Sequence, residues 1–246
     1  DEAAVRAYVE EKRGTNLRSV KYNTNSKNLG TVAHLERLYP LCTGEIVTLL
    51  AADDVLNDEG VVEAAVNAFR ETPDVQVLMS NVAMCDETLE NVERLFVSEE
   101  TAALINSGDT EELFRALASK CILPAMGTFY RREVLRLTDG LSKRYKLVED
   151  WPTHIILARE GISFRYIDRV SGRHRKGGIS NNKKLEGARI RLTFIADTLR
   201  IYDDEVVPYA DRLGPEVMEK ARKDHAARLA LQQEVREKLA LYEQEK

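Results

Sequence analysis

The sequence lacks the features that would place it across a membrane, in a disulfide framework or on nucleic acid. No apolar run is long enough to span a bilayer. Its three cysteines, Cys42, Cys85 and Cys121, are odd in number and scattered in apolar surroundings, which predicts buried free thiols in a reducing compartment. A formal net charge of -5 argues against a general nucleic-acid binder, because neutralising phosphates requires a basic surface.

The sequence also has no secretory signal peptide and no initiator methionine. We therefore expect the chain to begin inside a longer gene product and to act in the cytoplasm, where attachment to the inner face of a membrane stays open. At 246 residues, with 43% hydrophobic and 31% charged residues, it is typical of one globular domain with an appendage.

One acidic stretch organises the first half of the chain. The β-branched, apolar run Gly44–Leu50 predicts a buried strand, and Asp53 and Asp54 follow it directly. An amphipathic helix begins just after, near Asn57. Because ligands of open α/β sheets bind beyond the carboxyl ends of the strands, two carboxylates there suit a divalent cation. Taken alone, the pair is more typical of a helix cap than of a metal site.

The hydrophobic pattern predicts an α/β protein. Up to residue 82 it alternates helices with strands and indicates a mostly parallel sheet flanked by helices; the elements are a helix over 2–12, a strand over 17–22, a helix over 32–39, a strand over 46–50, a helix to residue 71 and a strand over 75–82. Later come two short helices within 83–125, a strand from Thr128, a helix ending near Gly161, a strand over 163–170, a basic glycine-containing loop over 172–180, and helices from Lys183 that break near Pro208 and resume at Pro215. We expect those last helices to pack on the domain or on a partner.

The order of these motifs resembles family 2 glycosyltransferases of the GT-A fold, over roughly residues 1–182. The resemblance is carried by Asn28-Leu29-Gly30, by the Gly-Glu strand that ends in Asp53-Asp54, by the run from Tyr130 to Leu135, by Glu149-Asp150-Trp151, and by the basic loop that ends in Gly177-Gly178-Ile179-Ser180. It implies a GT-A domain over 1–182, of the kind that binds nucleotide-diphosphate sugars, and a helical extension over 183–246.

The resemblance also implies an activity: inverting transfer of a sugar from a nucleotide-diphosphate donor to a hydroxyl acceptor that is a glycan, lipid-linked or protein-linked. The cofactor would be a divalent cation, Mn²⁺ or Mg²⁺, and nucleic acid is not an expected partner. Self-association through the C-terminal helices is left open.

Carried over by position, Asp150 falls on the catalytic base of the family. Asp53 falls on the last acid of its Asp-x-Asp metal motif, while Ala51 replaces the first acid. Asp54, the usual follower of that motif, is a candidate substrate contact. A histidine expected near the basic loop aligns with Arg175, or with His174 after a shift of one residue. We therefore take His174 as a second metal-ligand candidate.

The remaining candidates would contact substrates. Arg173, Arg175 and Lys176 would hold the diphosphate, since guanidinium and ammonium groups pair with phosphate oxygens. Glu149 and Trp151 would line the acceptor side, and Asn28 the donor side. Each has a structural alternative: a solvated loop for the basic residues, a helix cap for Glu149 and Asp150, the core for Trp151, and a plain turn for Asn28.

Asp150 lies where a helix should begin, and a helix N-terminus favours an ionised carboxylate, so Asp150 would be a competent base at neutral pH. Two other functions remain open. A non-catalytic binding or scaffolding relative would explain Ala51, the altered histidine and the missing first strand of the family fold. A nucleotidyltransferase would need a glycine-rich basic loop after its first strand, and no such loop is visible.

Overall fold

The computed structural model of the chain describes residues 2–177 and 187–244. Within them the strands are β1 (Ile46–Thr48), β2 (Val55–Leu56), β3 (Val77–Cys85), β4 (Val92–Leu95), β5 (Thr128–Arg131) and β6 (Phe164–Arg175). The α-helices are α1 (Glu2–Lys12), α2 (Thr31–Leu38), α3 (Val61–Glu71), α4 (Glu99–Ser107), α5 (Thr110–Leu117), α6 (Asp150–Arg159), α7 (Ala188–Ile201) and α8 (Ala210–Gln244). The α/β class predicted from the hydrophobic pattern is therefore correct.

The sheet is mixed rather than mostly parallel, and that part of the prediction is wrong. Its strand order is β1-β5-β3-β6-β2, with β4 paired to β3. Among the described strands only β3 and β6 pair in parallel, while β5 runs antiparallel to both β1 and β3. The reason lies in chain order: β5 returns between β1 and β3 after α4 and α5, so β1 and β3 are not neighbours.

The strand predicted over residues 17–22 does not form. The segment has the right alternation of apolar and polar residues, but it pairs with no strand of the described chain, and Leu17 is 38% exposed. Period-2 alternation stabilises a strand only where a neighbour takes its backbone hydrogen bonds and a core takes its apolar face. Neither is supplied here.

Helices cover both faces of the sheet. Val61, Ala65 and Phe69 lie on one side of α3, where spacings of four residues put them on one face against Leu78 and Phe129. The other face carries the main core, which includes residues of α5, α6, α7 and α8. Because β3 is buried on both sides, its sequence is an almost continuous apolar run.

The C-terminal helices join this main core. Ile201, Leu213 and Ala221 are all at most 2% exposed and pack with the α6 residue Leu157. Between α7 and α8 the helical path changes to one π turn and a 3-10 turn, and Gly214 (φ 78°) kinks α8 just before Pro215. The break predicted near Pro208 is therefore present, but the last helix begins at Ala210 and is kinked at Gly214 rather than beginning at Pro215.

The structure also bears on the predicted free thiols and on the question of a membrane-spanning helix. All three cysteines are free thiols, with Cys85 buried and the other two half-buried. Among the described residues, no helix combines the length and the apolar character needed to cross a membrane.

Candidate functional site: a cleft between two acidic pairs

One cleft of about 530 Å³ contains both acidic pairs singled out from the sequence. Asp53 and Asp54 approach it from the turn after β1, and Glu149 and Asp150 from the start of α6. The cleft is also lined by Trp151 and His174, and by three residues of the C-terminal helices, Phe194, Thr198 and Arg228. The structure thus brings together residues that lie about 100 positions apart in the sequence.

Asp54 links the turn after β1 to the end of β6. Its carboxylate accepts hydrogen bonds from the backbone N–H of Arg175 (2.9 Å) and from Nδ1 of His174 (3.1 Å). The side chain is only 8% exposed, so these two bonds replace the water that it loses. Asp54 therefore positions His174 rather than facing a ligand directly.

His174 has one ring nitrogen fixed and the other without a partner among the described residues. Its hydrogen bond to Asp54 raises its pKa, and the nearby charge of Asp53 adds to this effect. A histidine that donates Nδ1–H to a carboxylate presents Nε2 to a ligand, an arrangement typical of metal-binding histidines. The same geometry in its protonated form would suit an anionic ligand.

The donor set fits a cation only if a substrate supplies further ligands. In the described part of the chain, no group of three or more histidine, cysteine or acidic side chains is placed to hold a metal ion. Asp53 and His174 offer one oxygen and one nitrogen in the same cleft. Divalent cations need about six ligands, which a bound diphosphate and water would have to complete.

Glu149 and Asp150 begin α6 in a very different environment. Asp150 Oδ1 accepts the backbone N–H of Trp151 (2.8 Å), and the Cys121 thiol lies 3.8 Å from Oδ2. No Lys or Arg of the described chain forms an ion pair with either carboxylate. Burial raises the pKa of both groups, and the charge of Asp150 further raises the pKa of Glu149, to about 8.

The prediction that the helix N-terminus alone keeps Asp150 ionised therefore needs a correction. Burial opposes the helix terminus and raises the pKa of Asp150. Two adjacent buried carboxylates cannot both ionise easily, so the pair shares one proton near neutral pH. Glu149 is the member that holds the proton, because burial and the charge of Asp150 raise its pKa to about 8, whereas the Trp151 N–H stabilises the charged form of Asp150. Asp150 is then the basic member.

Trp151 belongs mainly to the core, which is the structural alternative to an acceptor contact. It is 4% exposed, and its indole N–H donates to the carbonyl of Leu117 (2.8 Å). Its ring nevertheless lines the cleft and lies under the guanidinium of Arg228, 4.7 Å from the ring centroid.

The predicted diphosphate clamp does not line the cleft. Residues 172–175 belong to β6 rather than to a loop. Arg173 and Arg175 flank His174, so strand alternation points them to the opposite face. Arg173 donates to Asn57 and to the Leu89 carbonyl, and Lys176 pairs with Glu93 (2.6 Å). The rest of the predicted loop, Gly178-Ile179-Ser180, lies outside the described residues.

Asn28 forms the turn that was its structural alternative. Its side chain accepts the backbone N–H of Gly30 (2.8 Å), and it is not among the residues that line the cleft. Gly30 has φ 84°, and a Cβ there would lie 2.5 Å from the carbonyl oxygen of Lys146. The turn therefore packs tightly against the segment that leads to Glu149.

The same segment is held from its other side by Asp197 of α7. One oxygen of this buried carboxylate accepts the backbone N–H groups of Lys146 (2.8 Å), Leu147 (2.6 Å) and Val148 (3.1 Å). Three such bonds on one carboxylate fix the backbone immediately before Glu149 and Asp150. The C-terminal extension thus positions the second acidic pair.

Sequence reasoning missed Asp197 and Arg228, although a signal for both exists. Asp197 follows Phe194 by three positions and precedes Ile201 by four, so it lies on the buried face of α7. Arg228 lies seven residues after Ala221, again on a buried face. A charged residue on an apolar helix face requires a partner or a function.

The comparisons with known proteins agree with this fold. Residues 1–219 match the sequence family described as "Glycosyltransferase like family 2". No curated protein matches the chain. Among solved structures, the mannosyltransferase PcManGT from Pyrobaculum calidifontis, in complex with GDP-Man and Mn²⁺, is similar with a TM-score of 0.53 and 15% identity over 94% of this chain. At that identity the likeness shows the fold alone, which is GT-A.

Two further structures show weaker similarity. TarS from S. aureus has a TM-score of 0.46 and 18% identity, and covers 84% of this chain. Glucosyl-3-phosphoglycerate synthase from Mycobacterium tuberculosis has a TM-score of 0.41 and 17% identity, and covers 81%. The chain spans 61%, 36% and 64% of the lengths of these three proteins. Because the family match covers 219 of 246 residues, the chain belongs to glycosyltransferase-like family 2, which confirms the family and the GT-A fold predicted from the sequence.

Proposed function

We propose that the chain is an inverting, cation-assisted glycosyltransferase that moves a sugar from a nucleotide-diphosphate donor to a hydroxyl acceptor. The observation that carries this proposal is the single cleft lined by Asp53 and His174 on one side and by Glu149 and Asp150 on the other. Transfer of this kind needs both a stabiliser for the leaving diphosphate and a base for the acceptor, and the cleft offers one candidate for each.

Asp150 is the proposed base. As the acceptor oxygen attacks the anomeric carbon, Asp150 takes the proton of the hydroxyl while the bond to the diphosphate breaks on the opposite face. One displacement inverts the anomeric centre, through a state with oxocarbenium character. Because Glu149 holds the shared proton, this end of the cleft presents one basic carboxylate, which is what a single displacement requires.

Asp53 and His174 are the proposed cation ligands. A bound divalent ion would neutralise the charge that develops on the leaving diphosphate. Asp54 holds the ring of His174 in place, and Arg94, which lines the same cleft, supplies a positive charge for the phosphates. The Mn²⁺ and nucleotide sugar in the PcManGT complex support Mn²⁺ as the first cation to test.

The acceptor type and the cellular site are also proposals. We expect a glycan, lipid-linked or protein-linked hydroxyl as acceptor, and action in the cytoplasm, because three free thiols persist best in a reducing compartment. Arg173, Arg175 and Lys176 do not line the cleft, so they take no part in the proposed donor site.

A non-catalytic binding module is the second candidate. Two observations favour it: Ala51 replaces the first acid expected by resemblance, and the described residues hold no three-ligand metal cluster. Such a module would retain the fold and the nucleotide site without turnover.

Titration calorimetry with nucleoside diphosphates, with and without Mn²⁺, tests the proposal. We expect binding that depends on Mn²⁺ and that Asp53→Asn weakens by roughly tenfold to a hundredfold, since a cation ligand is lost. Asp168→Asn is the matched control, because Asp168 is exposed on β6 and does not line the cleft. Mn²⁺-independent binding, or equal binding by Asp53→Asn, would contradict the assigned cation site.

A further inference from the structure

Arg228 is a half-buried cation in the cleft that lacks an acidic partner. It extends from α8 over the ring of Trp151, and no carboxylate within residues 2–177 and 187–244 forms an ion pair or hydrogen bond with it. Asp224, four residues earlier on the same helix, contributes only a longer-range charge. Burial lowers the pKa of Arg228, so its charge is poorly solvated.

Three other partly buried arginines of this protein form ion pairs with acidic side chains. Arg159 and Arg144, whose side chains are 10% and 36% exposed, both form ion pairs with the buried Glu205. Arg131 pairs with Glu45 at 2.6 Å and also donates to backbone carbonyls. A guanidinium has five donors in a planar fork that matches carboxylate and phosphate oxygens. Within residues 2–177 and 187–244, the guanidinium of Arg228 is held only by stacking on Trp151, so its donors can serve a ligand.

The position of Arg228 relates it to the proposed base. The Cys121 thiol lies 3.8 Å from Asp150 and is close enough to Arg228 to influence its pKa. Trp151, the residue after Asp150, lies under the guanidinium. Lys120 lines the same cleft, is exposed, and has no acidic partner among the described residues. Two cations therefore lie on the Asp150 side of the cleft.

The charges that act on the Asp53 side are different. His174 is influenced by Asp54, Asp53 and Arg94, whereas Asp150 and Glu149 influence each other and Cys121. Arg228 and Lys120 thus belong to the end that would receive the acceptor and not to the end that would hold the donor diphosphate.

We propose that Arg228, assisted by Lys120, binds an oxyanion of the acceptor, a phosphate or a carboxylate, and so selects acceptors that carry negative charge near the reacting hydroxyl. This inference rests on the proposed function, because it needs Asp150 to mark the acceptor end. Bidentate pairing would orient the acceptor with its hydroxyl toward Asp150.

Tryptophan fluorescence tests the inference, because Trp151 is the only tryptophan of the chain and lies under Arg228. Inorganic phosphate, acetate and neutral glycerol are titrated separately into the full chain. We expect a saturable change with at least one anion and none with glycerol; comparison of phosphate with acetate tells which oxyanion is preferred.

Variants locate the signal. Arg228→Gln should weaken anion binding by roughly tenfold to a hundredfold, the usual effect of losing charge-assisted hydrogen bonds, and Arg228→Lys should restore part of it. Arg222→Gln is the matched control, since it removes the same charge from an exposed position of α8 and should bind as the unaltered protein does. Equal anion binding by Arg228→Gln, or no saturable change with either anion, would overturn the inference.

Nucleoside diphosphate binding with Mn²⁺ separates this inference from the proposed function. If the unaltered chain and Arg228→Gln bind the diphosphate equally, while only the former binds the anion, both proposals stand. If the diphosphate binds and neither anion does, the inference alone fails. If anions bind at Arg228 but no diphosphate binds, the oxyanion site stands and its assignment to an acceptor falls with the proposed function.

Discussion

Asp53-Asp54 and Glu149-Asp150 are both adjacent acidic pairs, yet the fold places them in opposite situations. In the first pair, the buried Asp54 is satisfied by His174 and a backbone N–H. In the second, no basic side chain of the described chain pairs with either carboxylate, and burial raises the pKa of both. The first environment holds its buried carboxylate in hydrogen bonds, and the second favours uptake of a proton.

This difference assigns roles that residue type alone could not. A carboxylate beside a fixed histidine suits a cation and its diphosphate, because neither must change protonation during the reaction. A carboxylate that easily gains a proton suits a general base, since its pKa lies nearer to the working pH. Substitutions in or next to each pair should therefore have different consequences.

Asp150→Asn should have the largest effect. We expect sugar transfer to fall by roughly a hundredfold to ten-thousandfold, because the base is lost. The amide oxygen can still accept the Trp151 N–H, so the thermal unfolding midpoint should change little. Product formation with a panel of nucleotide sugars measures the rate, and Asp139→Asn, an exposed residue outside the cleft, is the control. Unchanged transfer would remove Asp150 as base.

Asp197→Ala should destabilise the segment that carries the second pair. Three backbone N–H groups lose their shared acceptor, which should lower the free energy of unfolding by about 3 kcal/mol. Urea unfolding at neutral pH measures the change. Asp203→Ala removes an exposed carboxylate just after α7 and serves as control. A loss no larger than that of the control would show that α7 does not hold this segment.

Asp54→Asn should loosen the first pair. An amide cannot stabilise the His174 charge as a carboxylate does, so the pKa of His174 should fall. Loss of this orienting contact should also weaken Mn²⁺-dependent diphosphate binding by roughly tenfold to a hundredfold. NMR titration of the histidine ring signals measures the first effect, with His34 as internal reference. An unmoved His174 titration would mean that the hydrogen bond does not persist in solution.

Glu149→Gln should act through the pH dependence of the free energy of unfolding. The pKa of Glu149 is raised to about 8, so from about pH 4.5 to 8 the folded state binds more protons than the unfolded state. Stability contributed by this group is therefore present at low pH and lost as pH rises, by at most about 1.4 kcal/mol per pH unit.

The glutamine variant removes that loss, so its stability relative to the unaltered protein should be greater at pH 8.5 than at pH 4.5. Urea unfolding at the two values measures it, and Glu133→Gln, an exposed residue, is the control. A difference that does not vary with pH would contradict the raised pKa.

The sequence predicted those elements whose signal is local. Spacings of four residues identified α3, and the buried run identified β3. Strand pairing was not predictable in this way, because the insertion of β5 between β1 and β3 depends on long-range contacts. The strand predicted over 17–22 failed for the same reason: a pattern does not supply a neighbouring strand.

The candidate site was likewise predictable only in part. The positions of Asp53, Asp150 and His174 in one cleft agree with what resemblance implied for their neighbourhood. What the sequence could not provide was the hydrogen bond from His174 to Asp54, the shared burial of Glu149 and Asp150, and the approach of Asp197 and Arg228 from helices about 50 to 80 residues later. These features depend on packing between distant segments. Arg173 was predicted to lie in a loop, whereas β6 continues to Arg175 and includes it.

The central claim is that the first pair binds the donor and the second performs the transfer. The most direct test measures the Mn²⁺-dependent dissociation constant of a nucleotide-sugar donor for Asp150→Asn and Asp53→Asn side by side. We predict that Asp150→Asn binds the donor as the unaltered chain does, whereas Asp53→Asn binds it roughly tenfold to a hundredfold more weakly. Equal weakening by both variants would contradict the division of roles.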